Sequence, residues 1–173
     1  MNFLSERNLE MHREYLNDLM LKFRIFEKSY PEIVGKDIDG IYRTLSNREE
    51  RKSAVSLLAE IEAHKLYFSS FTSEKIQSSR IKKQFGSTPQ FIYELRVIAK
   101  TSKSGFLIVY EDSSGIKLYC GDKYDSIIAK GKSLLALDLC EHAYFYDYGF
   151  RREEYILNAI SHFDFSKCEK SAN

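Results

Sequence analysis

The spacing of apolar residues predicts two long amphipathic helices in the first half of the chain. Over residues 5–28 apolar side chains recur three or four positions apart, as expected for a helix with one buried face. Ser5 is placed to cap this helix, and Pro31 follows its end. A second helix is predicted from about Arg48 to Thr72, with Ser46 or Asn47 as its cap. The two helices form a predicted hairpin.

The pattern changes in the second half. Thr88 and Pro89 are suited to start a helix, as its cap and first helical residue, that runs towards residue 100. Residues 105–110, 116–120 and 134–139 are predicted strands, with a turn over 112–115. A short helix is predicted at Glu141 and a last helix over 151–162. The sequence therefore predicts an α+β protein: a helical hairpin domain over 1–82, then a small mixed domain over 83–173 with a three-stranded antiparallel sheet.

Composition excludes some classes of protein and supports a compact fold. The chain has 173 residues, of which 43% are hydrophobic and 14% aromatic, enough for a substantial core. The net charge of +1 indicates no nucleic-acid partner, and no apolar run approaches the length of a membrane span. The three cysteines have no paired spacing, and the charges at Glu6 and Arg7 do not suit a signal peptide. Both observations favour a cytoplasmic protein.

Candidate chemistry begins where the third predicted strand ends. Asp138 closes the apolar run 134–137, and His142 follows four residues later. A carboxylate and an imidazole so placed can face one metal ion, and this pair of donors suits iron, manganese or zinc. Cys140, between them, is interpreted as a small buried hydrophobic residue.

The residues around this pair carry a longer pattern. It consists of Asp138-Leu139-Cys140-Glu141-His142-Ala143-Tyr144, then Asp147-Tyr148 and Arg152-x-x-Tyr155, with Gly105-Phe106 upstream. This pattern resembles the metal-binding signature of the iron/manganese superoxide dismutase family. The resemblance is strongest over residues 104–165 and is traceable over residues 5–87.

The resemblance implies one iron or manganese ion per subunit, without deciding between them. The implied ligands are His12, His64, Asp138 and His142. The fourth histidine of the chain, His162, is then not a ligand. A single histidine on an apolar helix face is usually a core residue, but one metal site explains all four polar residues together.

The resemblance also implies roles for residues around the ligands. Glu60 lies one helical turn before His64, at the position of an iron-type glutamine, and is a candidate catalytic residue. Tyr67 and Arg152 are expected to shape the entrance, where Arg152 would attract the superoxide anion. Glu141 is expected to reach the partner's ligand histidine in a homodimer.

Several positions depart from the family pattern. The chain has no tryptophan, and Leu16, Met20 and Phe145 stand where the family has a histidine and two tyrosines. The first helix allows two alignments: either His12 is a ligand, or Tyr15 takes the tyrosine role and the first ligand is lost. The apolar helix face favours the first alignment and places Tyr15 outside the site.

The expected function is that of a superoxide dismutase. Two alternatives remain open at this point. One is a metal-binding relative that keeps the fold with impaired or no catalysis, and the other is a helical interaction module without metal.

Overall fold

The first half of the protein is helical. The computed structural model describes residues 3–74, 77–122, 125–130 and 132–169. Helix α1 spans Glu6–Ser29 and is followed by a 3-10 turn at Pro31–Ile33, α2 at Ile38–Thr44 and α3 at Arg51–Ser69. Ser5 caps α1 as predicted, accepting a hydrogen bond from the Asn8 main-chain N–H. Leu45 follows α2 and is fully buried. Helix α3 starts at Arg51, later than predicted, and neither Ser46 nor Asn47 is its cap.

The second half combines short helices with one sheet. Its elements in order are α4 (Ser79–Phe85), α5 (Thr88–Ala99), β1 (Phe106–Asp112), β2 (Gly115–Gly121), α6 (Asp125–Lys130), β3 (Lys132–Asp138), a 3-10 turn (Glu141–Ala143), α7 (Phe145–Tyr148), α8 (Arg152–Ser161) and a 3-10 turn (Phe165–Cys168). The strand order is β2-β1-β3, and both pairings are antiparallel. The predicted α+β class is therefore confirmed.

Some predicted boundaries differ from the structure. Ser87 caps α5, so Pro89 is its second helical residue and Thr88 its first. Helices α4 and α6 were not predicted. The predicted domain boundary at residue 82 falls inside α4, and the division into two domains stays a prediction; its outer ends, 1–2 and 170–173, lie outside the described residues.

Two sets of hydrogen bonds join the helical half to the second half of the chain. Ser5, at the start of α1, donates from its main-chain N and its hydroxyl to the Asp147 carboxylate of α7, at 2.7 and 2.6 Å. Ser70, after α3, accepts from the main-chain N–H of Ala136 in β3 at 2.8 Å. These contacts hold the start of α1 against α7 and the end of α3 against β3.

The apolar core has two parts. One is buried within the hairpin and includes Leu19, Ile41 and Ile61. The other joins the sheet to α5 and α8 and extends to Leu9 and Tyr67 of the long helices. No helix among the described residues has the length and apolarity needed to cross a membrane.

Candidate metal centre

Four side chains from four separate elements converge where α1, α3 and β3 meet. They are His12 of α1, His64 of α3, Asp138 at the end of β3 and His142 of the 3-10 turn, and their candidate ligand atoms all lie within 4.8 Å of one another. The Asp138 Oδ2 atom is central, at 3.1 Å from His12 Nε2, 3.3 Å from His64 Nε2 and 2.8 Å from His142 Nε2. The sequence-predicted ligand set is thus brought together in space.

The cluster is almost closed to solvent. His12, His64 and Asp138 have 0% exposed side chains, whereas that of His142 is 29% exposed. Both ring nitrogens of His12 are buried without a hydrogen-bond partner, although Nε2 lies within ion-pair distance of Asp138. A buried nitrogen without a partner costs free energy, and a metal ion bound to Nε2 would remove that cost. The donor set therefore fits a metal such as iron or manganese.

Protonation in the cluster also suits metal binding. Burial opposes ionisation of Asp138, but the three imidazoles outweigh it and hold the pKa of this carboxyl well below its usual value. Burial lowers the pKa of His12. The pKa of His64 is raised, because the Asp138 carboxylate outweighs the effect of burial on that ring. An ionised carboxylate and a neutral His12 are ready to bind, whereas metal binding would displace any proton held on His64 Nε2.

Main-chain contacts fix the orientation of two of these side chains. The main-chain N–H of Cys140 donates to Asp138 Oδ1 at 2.8 Å, which leaves Oδ2 facing the imidazoles. The Tyr155 hydroxyl donates to the main-chain oxygen of Asp138, also at 2.8 Å. His64 Nδ1 lies 2.8 Å from the main-chain oxygen of Glu60. A carbonyl oxygen can only accept, so Nδ1 carries the proton and the Nε2 lone pair is free for a metal.

Aromatic rings enclose the cluster in this tryptophan-free chain. The rings of Tyr67 and Phe68 lie 4.7 and 5.0 Å from His12, and Phe106 lies 5.1 Å from His64. Tyr67 is fully buried, so the expectation that it shapes an entrance was wrong. Its position on the inner face of α3 places it against His12, inside the core.

The other predicted residues are placed differently. Glu60 is half-buried one turn before His64. Arg152 donates to the main-chain oxygen of Ser102 at 2.8 Å, and no hydrogen bond or ion pair within the described ranges joins it to the four clustered residues. His162 lies outside the cluster, with Nδ1 2.8 Å from the main-chain oxygen of Asn158. Cys140 is half-buried and its sulfur accepts from the main-chain N–H of Gly105.

Tyr15 lies beside the cluster, although the apolar pattern of the first helix predicted that it lies outside the site. Its hydroxyl donates to Glu60 Oε1 at 2.8 Å, and its ring stacks on that of His142, with centroids 4.1 Å apart. The expectation failed because a tyrosine side chain is long enough to reach the cluster from the edge of the helix face. His12 and Tyr15 are three residues apart and hence neighbours on α1, and this spacing was the available signal.

Comparison with known proteins defines the class. Residues 73–171, more than half of the chain, match the family described as iron/manganese superoxide dismutases, C-terminal domain. The protein belongs to the iron/manganese superoxide dismutase family. A curated relative from Synechococcus elongatus, named Superoxide dismutase [Fe], is 23% identical over 181 residues that cover 98% of this chain and 90% of the relative.

Proposed function

We propose that this protein is a superoxide dismutase with one iron or manganese ion held by His12, His64, Asp138 and His142. The observation that carries the proposal is the buried cluster of three imidazoles and one carboxylate, found in a member of this family. When bound, the metal supplies one-electron chemistry, so that two superoxide ions and two protons give oxygen and hydrogen peroxide.

The residues of this chain restrict how a small anion reaches the site. Three of the four clustered side chains are fully buried, and only His142 is partly exposed. Substrate would therefore approach on the side of His142, where Tyr15 and Glu60 also lie. In this proposal Arg152 adds positive potential that attracts the anion. Tyr67, buried against His12, holds that imidazole in position from the core side.

Glu60 is proposed to set the redox balance of the site. Glu60 lies one turn before His64 on α3, and its main-chain oxygen contacts His64 Nδ1. Its side chain accepts a hydrogen bond from Tyr15. A carboxylate close to a metal ion favours the higher charge of that ion through electrostatic attraction. A glutamate here would hence lower the reduction potential compared with a neutral amide.

We also propose a cytoplasmic homodimer with Glu141 at its interface. Glu141 is exposed. Phe145 and Phe150, shortly after it, are 44% and 95% exposed. In the proposed dimer, Glu141 of one subunit accepts a hydrogen bond from His142 of the other. Such a bond would fix the tautomer of the ligand.

A metal-binding relative without dismutase activity is the second candidate. It is favoured by departures from the family pattern near the cluster. The chain has no tryptophan, phenylalanine rings contact the histidines, and Glu60 places a carboxylate where the family has an iron-type glutamine. This candidate predicts the same metal content as the first and differs only in turnover.

The experiment that separates the two follows the decay of superoxide after pulse radiolysis. The protein is loaded with iron or with manganese, and an Asp138→Ala variant serves as the control. First-order dependence of the decay on metal-loaded protein, absent from the variant, supports the dismutase. Decay at the spontaneous rate in both metal forms would instead support the non-catalytic relative.

A further inference from the structure

Asn8 has a buried side-chain amide that lacks a hydrogen-bond partner in the described part of the chain. The residue is 1% exposed, and neither its amide oxygen nor its amide nitrogen is paired. Its main-chain N–H, in contrast, donates to the Ser5 hydroxyl at 3.1 Å. A buried polar group without a partner costs free energy, so an unpaired amide at this position calls for an explanation.

The position of Asn8 relates it to a ligand of the metal centre. It lies one helical turn before His12 on the buried face of α1. Side chains of an α-helix lean towards its N-terminus, so the His12 imidazole lies over the turn that contains Asn8. His12 Nε2 faces the Asp138 carboxylate at 3.1 Å, whereas Nδ1 is buried without a partner among the described residues. The unpaired amide and the unpaired ring nitrogen are therefore neighbours on one helix face.

Two other histidines show how this chain otherwise holds such a ring. His64 Nδ1 lies 2.8 Å from the main-chain oxygen of Glu60, four residues earlier, and the non-ligand His162 is held in the same way. His12 Nδ1 makes no such main-chain bond within the described residues. The residue four positions before His12 is Asn8, which offers a side-chain amide instead.

We propose that Asn8 is a positioning residue for His12: with a metal ion at Nε2, His12 Nδ1 donates a hydrogen bond to the Asn8 amide oxygen, directly or through one buried water. A neutral imidazole carries one proton, and a metal ion at Nε2 leaves that proton on Nδ1. A bridging water would have Nδ1 and both amide atoms as partners, which is enough to hold it. A bond of this kind fixes the ring and makes the imidazole a stronger ligand.

This role of Asn8 deepens the proposed function and rests on it for the presence of a metal ion, but its measurements need no turnover. Asn8→Leu is the test variant, because leucine has nearly the same size and cannot accept a hydrogen bond. Asn17→Leu is the matched control, since Asn17 is exposed on the same helix and the change in helix propensity is the same.

Urea unfolding of metal-free protein shows whether Asn8 has a merely structural role. Asn8→Leu removes an unpaired buried amide, so the variant should be at least as stable as Asn17→Leu. An unfolding equilibrium constant more than about twofold above that of the control would mean that the metal-free fold already satisfies the amide, and would overturn the proposed role.

Zinc binding measures the effect on the metal centre, because zinc accepts imidazole and carboxylate ligands and has no redox chemistry. Asn8→Leu should weaken zinc binding about tenfold or more, whereas Asn17→Leu should stay within about twofold of wild type. The expected result is therefore a variant that keeps its stability and loses metal affinity. Equal zinc affinities of wild type and Asn8→Leu would overturn the proposed role.

Nitrogen-15 NMR of the histidine rings in zinc-loaded protein tests the contact itself. The His12 Nδ1–H signal should move in Asn8→Leu, while that of His64 stays in place because its main-chain partner is unchanged. An unmoved His12 signal would overturn the contact.

Superoxide decay separates this role from the proposed function. If neither the iron form nor the manganese form speeds the decay while the effects of Asn8→Leu on zinc binding and on the His12 signal are found, dismutase activity is refuted and the role of Asn8 stands. If the decay is accelerated and Asn8→Leu binds zinc as wild type does, the role of Asn8 is refuted and the dismutase stands.

Discussion

Replacing Tyr155 with phenylalanine tests how the core supports the metal centre. Tyr155 is fully buried in α8, and its hydroxyl donates at 2.8 Å to the main-chain oxygen of Asp138. The Tyr67 hydroxyl lies 3.5 Å away. Tyr155→Phe removes one buried donor, leaves the shape of the ring unchanged and withdraws a partner from two buried oxygens.

The expected loss of stability follows from these contacts. A buried polar group that loses its partner costs about 1–3 kcal/mol. For a chain of this size each kcal/mol lowers the melting temperature by about 2–4 °C. We therefore expect the free energy of unfolding of metal-free protein to fall by about 1–3 kcal/mol, and metal to leave the holoprotein faster because Asp138 is held less firmly.

Urea denaturation of metal-free protein measures the first effect, with Tyr93→Phe as the control because Tyr93 is 61% exposed. Chelator-driven metal loss measures the second. If the free energy of unfolding of Tyr155→Phe stayed within about 0.5 kcal/mol of the control, the hydrogen bond to Asp138 would not contribute as argued.

Three further predictions concern other parts of the structure. Hydrogen bonds from Ser79 and Ser78 lower the pKa of Glu169 from 4.5 to about 2, so this carboxylate stabilises the folded state above pH 4.5 and the contribution is lost as the pH falls towards 2. Glu169→Gln should therefore have a lower melting temperature than wild type near pH 7 and the same one in acid. A difference in melting temperature that does not change with pH would contradict this role of Glu169. Glu60→Gln removes a negative charge beside the site and should raise the reduction potential of the loaded protein, and an unchanged potential in redox titration would mean that its charge does not act there. Glu141→Ala should dissociate the proposed dimer or weaken metal binding in sedimentation and metal titration, and a monomeric wild type would refute that proposal.

Much of the fold could be predicted because the local patterns agree with the tertiary structure. The apolar spacing of α1 and its cap at Ser5 gave a helix that ends within a residue or two of the structure. The turn at 112–115 and the apolar runs beside it likewise predicted the paired strands β1 and β2. Helix α4 was missed because its stability depends on distant contacts: Glu169 accepts hydrogen bonds from Ser78 and Ser79, and Ile81 is buried in the core.

The site residues that are close in sequence could be predicted from the local pattern, and those far apart in sequence could not. Asp138 and His142 are four residues apart, so their convergence is nearly local, whereas His12 and His64 could be added only through the family resemblance. The bond between Tyr15 and Glu60 joins residues 45 positions apart, and neither residue has a local pattern that indicates the other. Arg152 was assigned by its position in the family pattern, and its observed partner is Ser102. Its role as an attractor of anions stays a prediction.

The most direct test of the proposed metal centre is the metal content of purified protein, measured by mass spectrometry for wild type, Asp138→Ala and the exposed control Asp18→Ala. Asp138 Oδ2 lies within 3.3 Å of all three imidazoles, so its loss should remove the centre of the site. We expect one iron or manganese ion per chain in wild type and in Asp18→Ala, and little or none in Asp138→Ala. Full retention of metal by Asp138→Ala, or no metal in any of the three, would contradict it.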